Sequence, residues 1–323
     1  MRVFITGARG FIGRALAARL RARGDDVYGV DLHADPASGV VAGDVSEPGE
    51  WQRHAEGADL VIHTAAIVSN ADDMAAQWRV NVRGTRHALD AAVRGGASRF
   101  VPLSSVRAFS DVGFPDGVTE DHPVRPDGNP YVGTKIACEQ VALQAHTAGE
   151  IPVTIVRPGD VYGPGSRPWT VLPVELIRRN RFVLPAMGNG IFSPVYVDDL
   201  VKGVLLAAAR SDAAGQVFTI SGGAGVTCRE FFGHYYRMLG KPGPMVVPTS
   251  AALAASGAIA GVSRLARVRT EINPTSMRYL ARTGTYSIEK ARRMLGYEPA
   301  VDVAEGMART ERWLRQEGLI GHG

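Results

Sequence analysis

The sequence predicts an α/β fold, a doubly wound parallel sheet with a smaller C-terminal α/β cap, and three observations predict it. Short β-branched runs alternate with longer Ala/Leu/Arg stretches over the first half of the chain, the pattern of parallel strands joined by crossover helices. A glycine-rich turn separates the first of these runs from the first helical stretch. After Arg157 the alternation loosens into pieces punctuated by Pro158-Gly159, Gly163-Pro164-Gly165 and Gly188-Asn189-Gly190, which read as loops over the sheet.

In chain order, Val3 to Thr6 reads as the first strand, Ile12 to Arg23 as the first helix and Val27 to Asp31 as the second strand. Asp59 to Thr64, Phe100 to Ser104 and Val153 to Arg157 supply further strands. Ala75 to Arg94 and Tyr131 to Ala148 are Ala-rich and free of proline, which makes them two long helices on one side of the sheet. Later helices fall at Asp198 to Ala209, at Cys228 to Leu239 and in several pieces between Pro248 and Arg315. A cap built from these last segments closes over the carboxyl ends of the strands, where open α/β sheets bind ligands, and so holds the substrate determinants.

At 323 residues the chain buries a core without disulfide staples, and 45% hydrophobic against 21% charged residues fits neither disorder nor a coiled coil. An excess of 36 basic over 32 acidic residues is too small and too dispersed to argue for nucleic acid. Arg178, Arg179 and Arg181, like Arg264, Arg267 and Arg269, read as solvated helix faces. Cys138 and Cys228 stand far apart with no CxxC, and the histidines show no paired-ligand spacing, so no metal is expected. A reducing, cytoplasmic compartment follows from the same cysteine usage. The opening Val3-Phe4-Ile5 run is shorter than the core of a signal peptide. Pro248, Thr249, Ser250 and Ser256 interrupt the small apolar stretch 244–262, short of the roughly 18 to 20 apolar residues a membrane span needs. That stretch reads as helices of the cap core rather than as a lipid-facing surface.

Thr6-Gly7-Ala8-Arg9-Gly10-Phe11-Ile12-Gly13 joins the first strand to the first helix, the context in which a glycine motif carries meaning. Gly7 allows the tight turn, Gly10 lets backbone N–H groups approach a pyrophosphate at the helix N-terminus, and Gly13 lets the helix pack against the strand. The spacing is GxxGxxG rather than GxGxxG, and an isolated match is as often a plain helix entry. Asp31 ends the second strand, where a carboxylate accepts hydrogen bonds from ribose hydroxyls and repels a 2′-phosphate, favouring NAD over NADP. Arg9, inside the loop, pulls toward NADP. Asp44-Val45 and Ala65-Ala66 are spaced to line the adenine and ribose side of the same crevice.

Tyr131 and Lys135 stand at i and i+4 on one helical face. A phenol is a poor base at neutral pH, and a neighbouring ammonium stabilises its phenolate, the pair that hydride chemistry at a secondary alcohol needs. Composition alone supplies roughly 0.1 such pairs by chance, and the chain holds a second one, Tyr286 and Lys290, read as part of a surface helix N-capped by Ser287. Ser104-Ser105 sets Tyr131 apart, because it ends a strand upstream and puts a hydroxyl where it can hold a substrate oxygen. The plainer use of Ser105 is to satisfy strand-end backbone groups.

Together with His63-Thr64-Ala65-Ala66, Asn81-Val82-Arg83-Gly84-Thr85, Arg157-Pro158-Gly159-Asp160-Val161-Tyr162-Gly163-Pro164-Gly165 and Tyr196-Val197-Asp198-Asp199-Leu200, these motifs resemble the extended short-chain dehydrogenase/reductase family, the NAD-dependent epimerase/dehydratase group. The resemblance covers nearly the whole chain. It implies a Rossmann domain over 1–165, with 191–225 returning to it, and a substrate cap from 166–190 and 226–323. Tyr131 is implied as acid/base, Lys135 as its partner and ribose ligand, and Ser105 as donor to the substrate oxygen. Phe11, Ile12, Thr64, Asn81 and Ser104 join the cofactor crevice, with Pro158, Gly159 and Val161 at the nicotinamide. A homodimer through the two long helices is implied as well.

Departures from the family pattern narrow the chemistry. Val106-Arg107 follow Ser105 where sugar-nucleotide 4,6-dehydratases carry an acidic pair, so the elimination step lacks its acid. Ile191-Phe192-Ser193-Pro194 precede the Val-x-Asp motif where sugar-nucleotide epimerases place an arginine for the diphosphate. The C-terminal segment from Thr285 to Pro299 looks more like the 3β-hydroxysteroid dehydrogenase and dihydroflavonol reductase branch, which points to a hydrophobic alcohol or ketone. A dehydrogenase is the leading expectation. An NAD-retaining sugar-nucleotide epimerase is the alternative enzyme, and a non-catalytic dinucleotide sensor the alternative from another class, disfavoured by the intact Ser105, Tyr131 and Lys135.

Overall fold

The computed structural model describes residues 1–71 and 73–321; Asp72, His322 and Gly323 lie outside the described residues. β1 (Arg2–Thr6), α1 (Phe11–Ala22), β2 (Asp26–Asp31), β3 (Val40–Ala42) and β4 (Leu60–His63) open the fold. α2 (Met74–Gln77) runs through a π-helical segment, Trp78–Arg83, straight into α3 (Gly84–Arg94). β5 (Arg99–Pro102), α4 (Pro130–Thr147) and β6 (Ile155–Pro158) follow.

The central sheet has the order β3-β2-β1-β4-β5, all parallel. Parallel bridges from Phe100 to Val153 and from Leu103 to Val156 carry it on to β6. Alternation along β1 explains the two helical layers. Val3 and Ile5 belong to the core that holds Leu16 and Leu20 of α1, whereas Phe4 belongs to the core that holds Ala88, Leu89, Ala142 and Ala145 of α3 and α4. All three strand residues are wholly buried, a contribution of about 1.5–3 kcal/mol for each large side chain. The chain reverses direction across the sheet between β1 and β4, so the loops after these two strands face each other at the crevice where such sheets bind ligands.

The second half adds β7 (Asp160–Tyr162), α5 (Leu172–Arg178), β8 (Val183–Leu184), β9 (Ile191–Phe192), β10 (Pro194–Tyr196) and α6 (Val197–Ala209). Then come β11 (Val217–Ile220), which pairs parallel with β6, β12 (Val226–Thr227), α7 (Cys228–Met238) and β13 (Met245–Val246). α8 (Thr249–Leu265), α9 (Pro274–Leu280), α10 (Glu289–Leu295) and α11 (Val303–Gln316) end the chain. Asp199 of α6 accepts the N–H groups of Ala300 and Val301, at 2.8 and 3.0 Å, and so ties the approach to α11 back onto the sheet layers.

Two expectations about the C-terminal half fail. The apolar 244–262 stretch does not fill a core: α8 buries only Ala252 and Ser256. Aromatic rings hold that volume instead, with Trp169, Phe192, Phe231 and Phe232 in mutual contact, and a helix of small side chains has little area with which to compete. Tyr286 is not on a surface helix either. It precedes α10, is 4% exposed and packs on Phe109 and Phe114, while the Ser287 hydroxyl accepts the Glu289 N–H at 3.2 Å. Tyr286 and Lys290 therefore do not share a helical face.

Candidate active site

The turn after β1 is built for close approach of backbone. Gly7 takes φ +70°, and a Cβ there would sit 2.8 Å from the Ala65 nitrogen. A Cβ on Gly13 would meet the Gly7 carbonyl at 2.2 Å. The Gly7 and Ala8 N–H groups both donate to the Val30 carbonyl, which pins the turn to β2. α1 starts at Phe11 with no side-chain cap and no acid in its first turn, so its leading N–H groups are left for an anion. A turn that excludes side chains, set against an uncapped helix end, fits a dinucleotide pyrophosphate.

Asp31 accepts the backbone N–H of Arg9 at 2.9 Å and of Leu32 at 2.8 Å. Its carboxylate thus fixes the glycine turn at the end of β2. The exposed Arg9 guanidinium donates to the His33 carbonyl at 3.3 Å. Asp44 is exposed and caps the Ser46 N–H, while Val45 is a core residue beneath α3. Pro158 closes β6 and Val161 is buried in β7. Gly159 lies between them, where a Cβ would meet the Ser193 carbonyl at 2.5 Å.

Three residues expected in the crevice have their polar groups spent internally. The Thr64 hydroxyl donates to the Thr6 carbonyl at 2.7 Å. The Ser104 hydroxyl donates to Glu139 at 2.5 Å, and Glu139 is forked by Arg157 at 2.8 and 2.7 Å. Asn81, only 1% exposed, accepts the Ile67 N–H and donates to the Ile67 carbonyl and the Thr134 hydroxyl. Buried polar atoms must find partners, and these have found them inside the protein. Asn81 latches the loop after β4 to α4.

α4 brings Tyr131 and Lys135 onto one face. Asn129 caps its N-terminus by accepting the Tyr131 N–H at 3.0 Å, and Pro130 takes the first helical position. The Lys135 ammonium donates to the Leu103 carbonyl at 2.9 Å and lies 5.8 Å from the Tyr131 ring centre. Ser105, just past β5, caps a short 3-10 turn by accepting the Arg107 N–H at 3.1 Å.

Arg107, which the sequence marks only as a missing acid, lies at the centre of the site. Its guanidinium is sandwiched between the rings of Tyr131, at 5.0 Å, and Tyr279 of α9, at 4.4 Å. It forms a buried ion pair with Asp111 and donates to Asn70 at 2.9 Å. Asn70 is held in turn by Ser276 and Asn273. Behind Tyr279, Arg282 pairs with Asp160 at 2.5 Å, both side chains almost wholly buried, and the Tyr279 hydroxyl donates to the other Asp160 oxygen. Burial works against the charge on Arg282, but the Asp160 carboxylate, with the Tyr279 and Tyr286 phenols and the Asp111 carboxylate behind it, outweighs burial and holds the guanidinium well above its ordinary range.

His63 ends β4 with its ring buried between two threonines. Thr85 donates its hydroxyl proton to the Asn81 carbonyl at 2.6 Å, so it accepts from His63 Nε2–H, and Nδ1 accepts from Thr6 at 2.7 Å. Burial, and after it the Lys135 charge, push the imidazole from 6.5 down to about 3. The unfolded ring takes a proton below its ordinary value, whereas the folded ring refuses one until about 3. The stabilisation is therefore present above 6.5 and is lost as pH falls through that window. The expected NMR signature is a His63 ring resonance that does not move between about pH 8 and about pH 5, where an ordinary histidine titrates.

Among the described residues no group of three or more His, Cys, Asp or Glu could hold a metal ion, and no helix is long and apolar enough to cross a membrane.

A parallel sheet with an anion-ready turn after β1, and a tyrosine and lysine on the helix beside it, defines a dinucleotide-binding class. The sequence profile of the NAD dependent epimerase/dehydratase family matches residues 3–221. A 4-hydroxy-2-methyl-3-oxo-4-farnesyl-3,4-dihydroquinoline-1-oxide ketoreductase of Stigmatella aurantiaca is 31% identical, over 100% of this chain and 98% of its own. A dTDP-glucose 4,6-dehydratase of Streptomyces griseus is 30% identical over 96% and 93%. Among solved structures, MoeE5 in complex with UDP-glucuronic acid and NAD superimposes with a TM-score of 0.79 at 26% identity, covering 98% of this chain and 100% of that one. The chain belongs to the NAD-dependent epimerase/dehydratase family, within the extended short-chain dehydrogenases/reductases.

Proposed function

We propose that the protein interconverts a secondary alcohol and a ketone on a small, hydrophobic substrate, with NAD as hydride carrier and Ser105, Tyr131 and Lys135 as catalytic residues. One observation carries the substrate class: the two guanidinium groups that flank Tyr279 are each tied into a buried ion pair. Arg107 is held by Asp111 and Arg282 by Asp160, both pairs buried. A diphosphate is recognised by a guanidinium free to fork onto it, and lifting either arginine away leaves a buried carboxylate uncompensated. The ketoreductase relative, whose name specifies a farnesyl-bearing ketone, supports the same class.

When bound, NAD supplies the carbon that takes or gives the hydride. Ser105 accepts the Arg107 N–H, which leaves its own hydroxyl proton to donate to the substrate oxygen. Tyr131 takes the alcohol's proton, or returns one to the ketone oxygen. Lys135, anchored on the Leu103 carbonyl, offsets the negative charge that the phenolate carries while the proton is away. On this reading Asp31 meets the adenosine ribose, the Gly7–Gly13 turn takes the pyrophosphate, and Pro158, Gly159 and Val161 border the nicotinamide. Residues 1–165 and 191–225 then form the nucleotide-binding domain, with 166–190 and 226–323 as the cap. The reading also takes the protein to be cytoplasmic and to pair as a homodimer through the long helices α3 and α4.

The test supplies NADH with a panel of apolar ketones on one side and UDP- and dTDP-sugars on the other, after the nucleotide released by denaturing the purified protein has been weighed. The expected result is cofactor consumption with apolar ketones alone. Near-stoichiometric retained NAD with turnover of a sugar nucleotide would replace the dehydrogenase by the epimerase.

A further inference from the structure

α8 lies outside the machinery described so far and turns an apolar side to solvent. Of its 17 residues only Ala252 and Ser256 are buried. The opposite side carries Ala254, Ala258, Val262 and Leu265, flanked by Ile259 and followed by Val268. Leu265 is 88% exposed, Val262 66%, Val268 61% and Ile259 43%. Isolated exposed apolar residues need no explanation, but a contiguous helical face of them marks an interaction surface. Its charge is one-sided. No acid stands between Thr249 and Thr270, whereas Arg264 and Arg267 are exposed at the end of the helix. The first acid beyond it, Glu271, is engaged by the Ser69 hydroxyl at 2.6 Å and the Asn70 N–H at 3.1 Å.

We propose that the outer face of α8 docks on an anionic lipid surface. The helix lies in the plane of that surface, with Val262, Leu265 and Val268 in the acyl boundary and Arg264 and Arg267 at the headgroup phosphates. Charge selects this occupant. A cationic face without acids complements an anionic surface and offers a second copy of itself no opposite charge to meet. Shallow docking also suits a helix too short and too mildly apolar to span. The position has a consequence: Asn273 and Ser276, at the start of α9, grip Asn70, which accepts the Arg107 guanidinium beside Tyr131. A docked α8 therefore holds the cleft next to the bilayer that dissolves apolar substrates. That consequence rests on the hydrophobic-substrate reading; the docking does not.

Flotation of the full-length protein with phosphatidylglycerol vesicles, against phosphatidylcholine vesicles, tests the proposal without any turnover. Expected is co-flotation with phosphatidylglycerol that weakens as salt is raised and falls roughly tenfold or more in the double variant Arg264→Glu/Arg267→Glu. The variant Val262→Ser/Leu265→Ser, at exposed positions that leave the fold intact, loses flotation likewise. Protein that stays at the bottom with phosphatidylglycerol overturns the proposal, as does undiminished flotation of both variants. A non-floating protein whose solution mass drops from dimer to monomer on Val262→Ser/Leu265→Ser also overturns it, by assigning the face to a second copy.

Discussion

Tyr131→Phe is expected to lower turnover by about 10²–10⁴-fold, the range general acid–base catalysis contributes, while NAD affinity stays within a small factor of the parent protein. The asymmetry follows from what the substitution keeps. The ring remains, so the Arg107 guanidinium at 5.0 Å and the Lys135 ammonium at 5.8 Å retain the surface they pack on. The backbone N–H that Asn129 caps is unaffected, and α4 starts where it did. Only the phenolic hydroxyl is lost, the group that exchanges a proton with the substrate oxygen. Steady-state rates with an apolar ketone, set beside a fluorescence titration with NADH, separate the two quantities. A kcat within a few-fold of the parent would remove Tyr131 from the chemistry. Parallel loss of NADH binding would instead mean that the phenol belongs to the cofactor site.

How much of this was legible in the sequence depended on whether the information was local. The strands and helices of the first half, the Gly7–Gly13 turn and the Tyr131–Lys135 pair are short-range patterns, and the sheet order and the geometry around α1 and α4 follow them. The π-helical segment at Trp78–Arg83 left no such trace, because nothing in Trp78-Arg79-Val80-Asn81-Val82-Arg83 distinguishes it from α-helix. Asn129-Pro130 is a local capping signal, and the structure starts α4 there. Asn70, Asp111, Tyr279 and Arg282 could not be assembled from spacing: Asn70 and Ser276 bond across 206 positions, and nothing local marks either. Asn81 and Ser104 show another limit of pattern. Their residue type suited a ligand, yet burial committed each to an internal partner, a demand that sequence pattern does not display. With α8 the error ran the other way. Apolar composition implies burial only if an unfilled surface is waiting for it, and the aromatic cluster around Phe192 had already filled the one at hand.

Arg282→Met is expected to destabilise the protein by about 3–5 kcal/mol, the penalty for orphaning a buried charge, read as a fall in the urea midpoint. The guanidinium is 1% exposed and its partner Asp160 3%. Without it the carboxylate keeps only the Ser193 N–H at 2.9 Å and the Tyr279 hydroxyl. Arg282 also donates to the Ile191 carbonyl at 3.2 Å and stacks on Tyr279 at 3.9 Å, so the loss extends to β9 and α9. Because the cost lies in the uncompensated anion, Asp160→Asn in the Arg282→Met background should recover most of the midpoint, the reciprocal dependence that marks a coupled pair. The same variant decides between the two enzymatic readings. A sugar-nucleotide epimerase would draw Arg282 off Asp160 to meet the diphosphate, so its loss would raise KM for the nucleotide sugar in addition to lowering the midpoint. A lowered midpoint, rescued by Asp160→Asn and accompanied by an unchanged KM for the apolar ketone, keeps the guanidinium in the fold and the diphosphate out of the cleft.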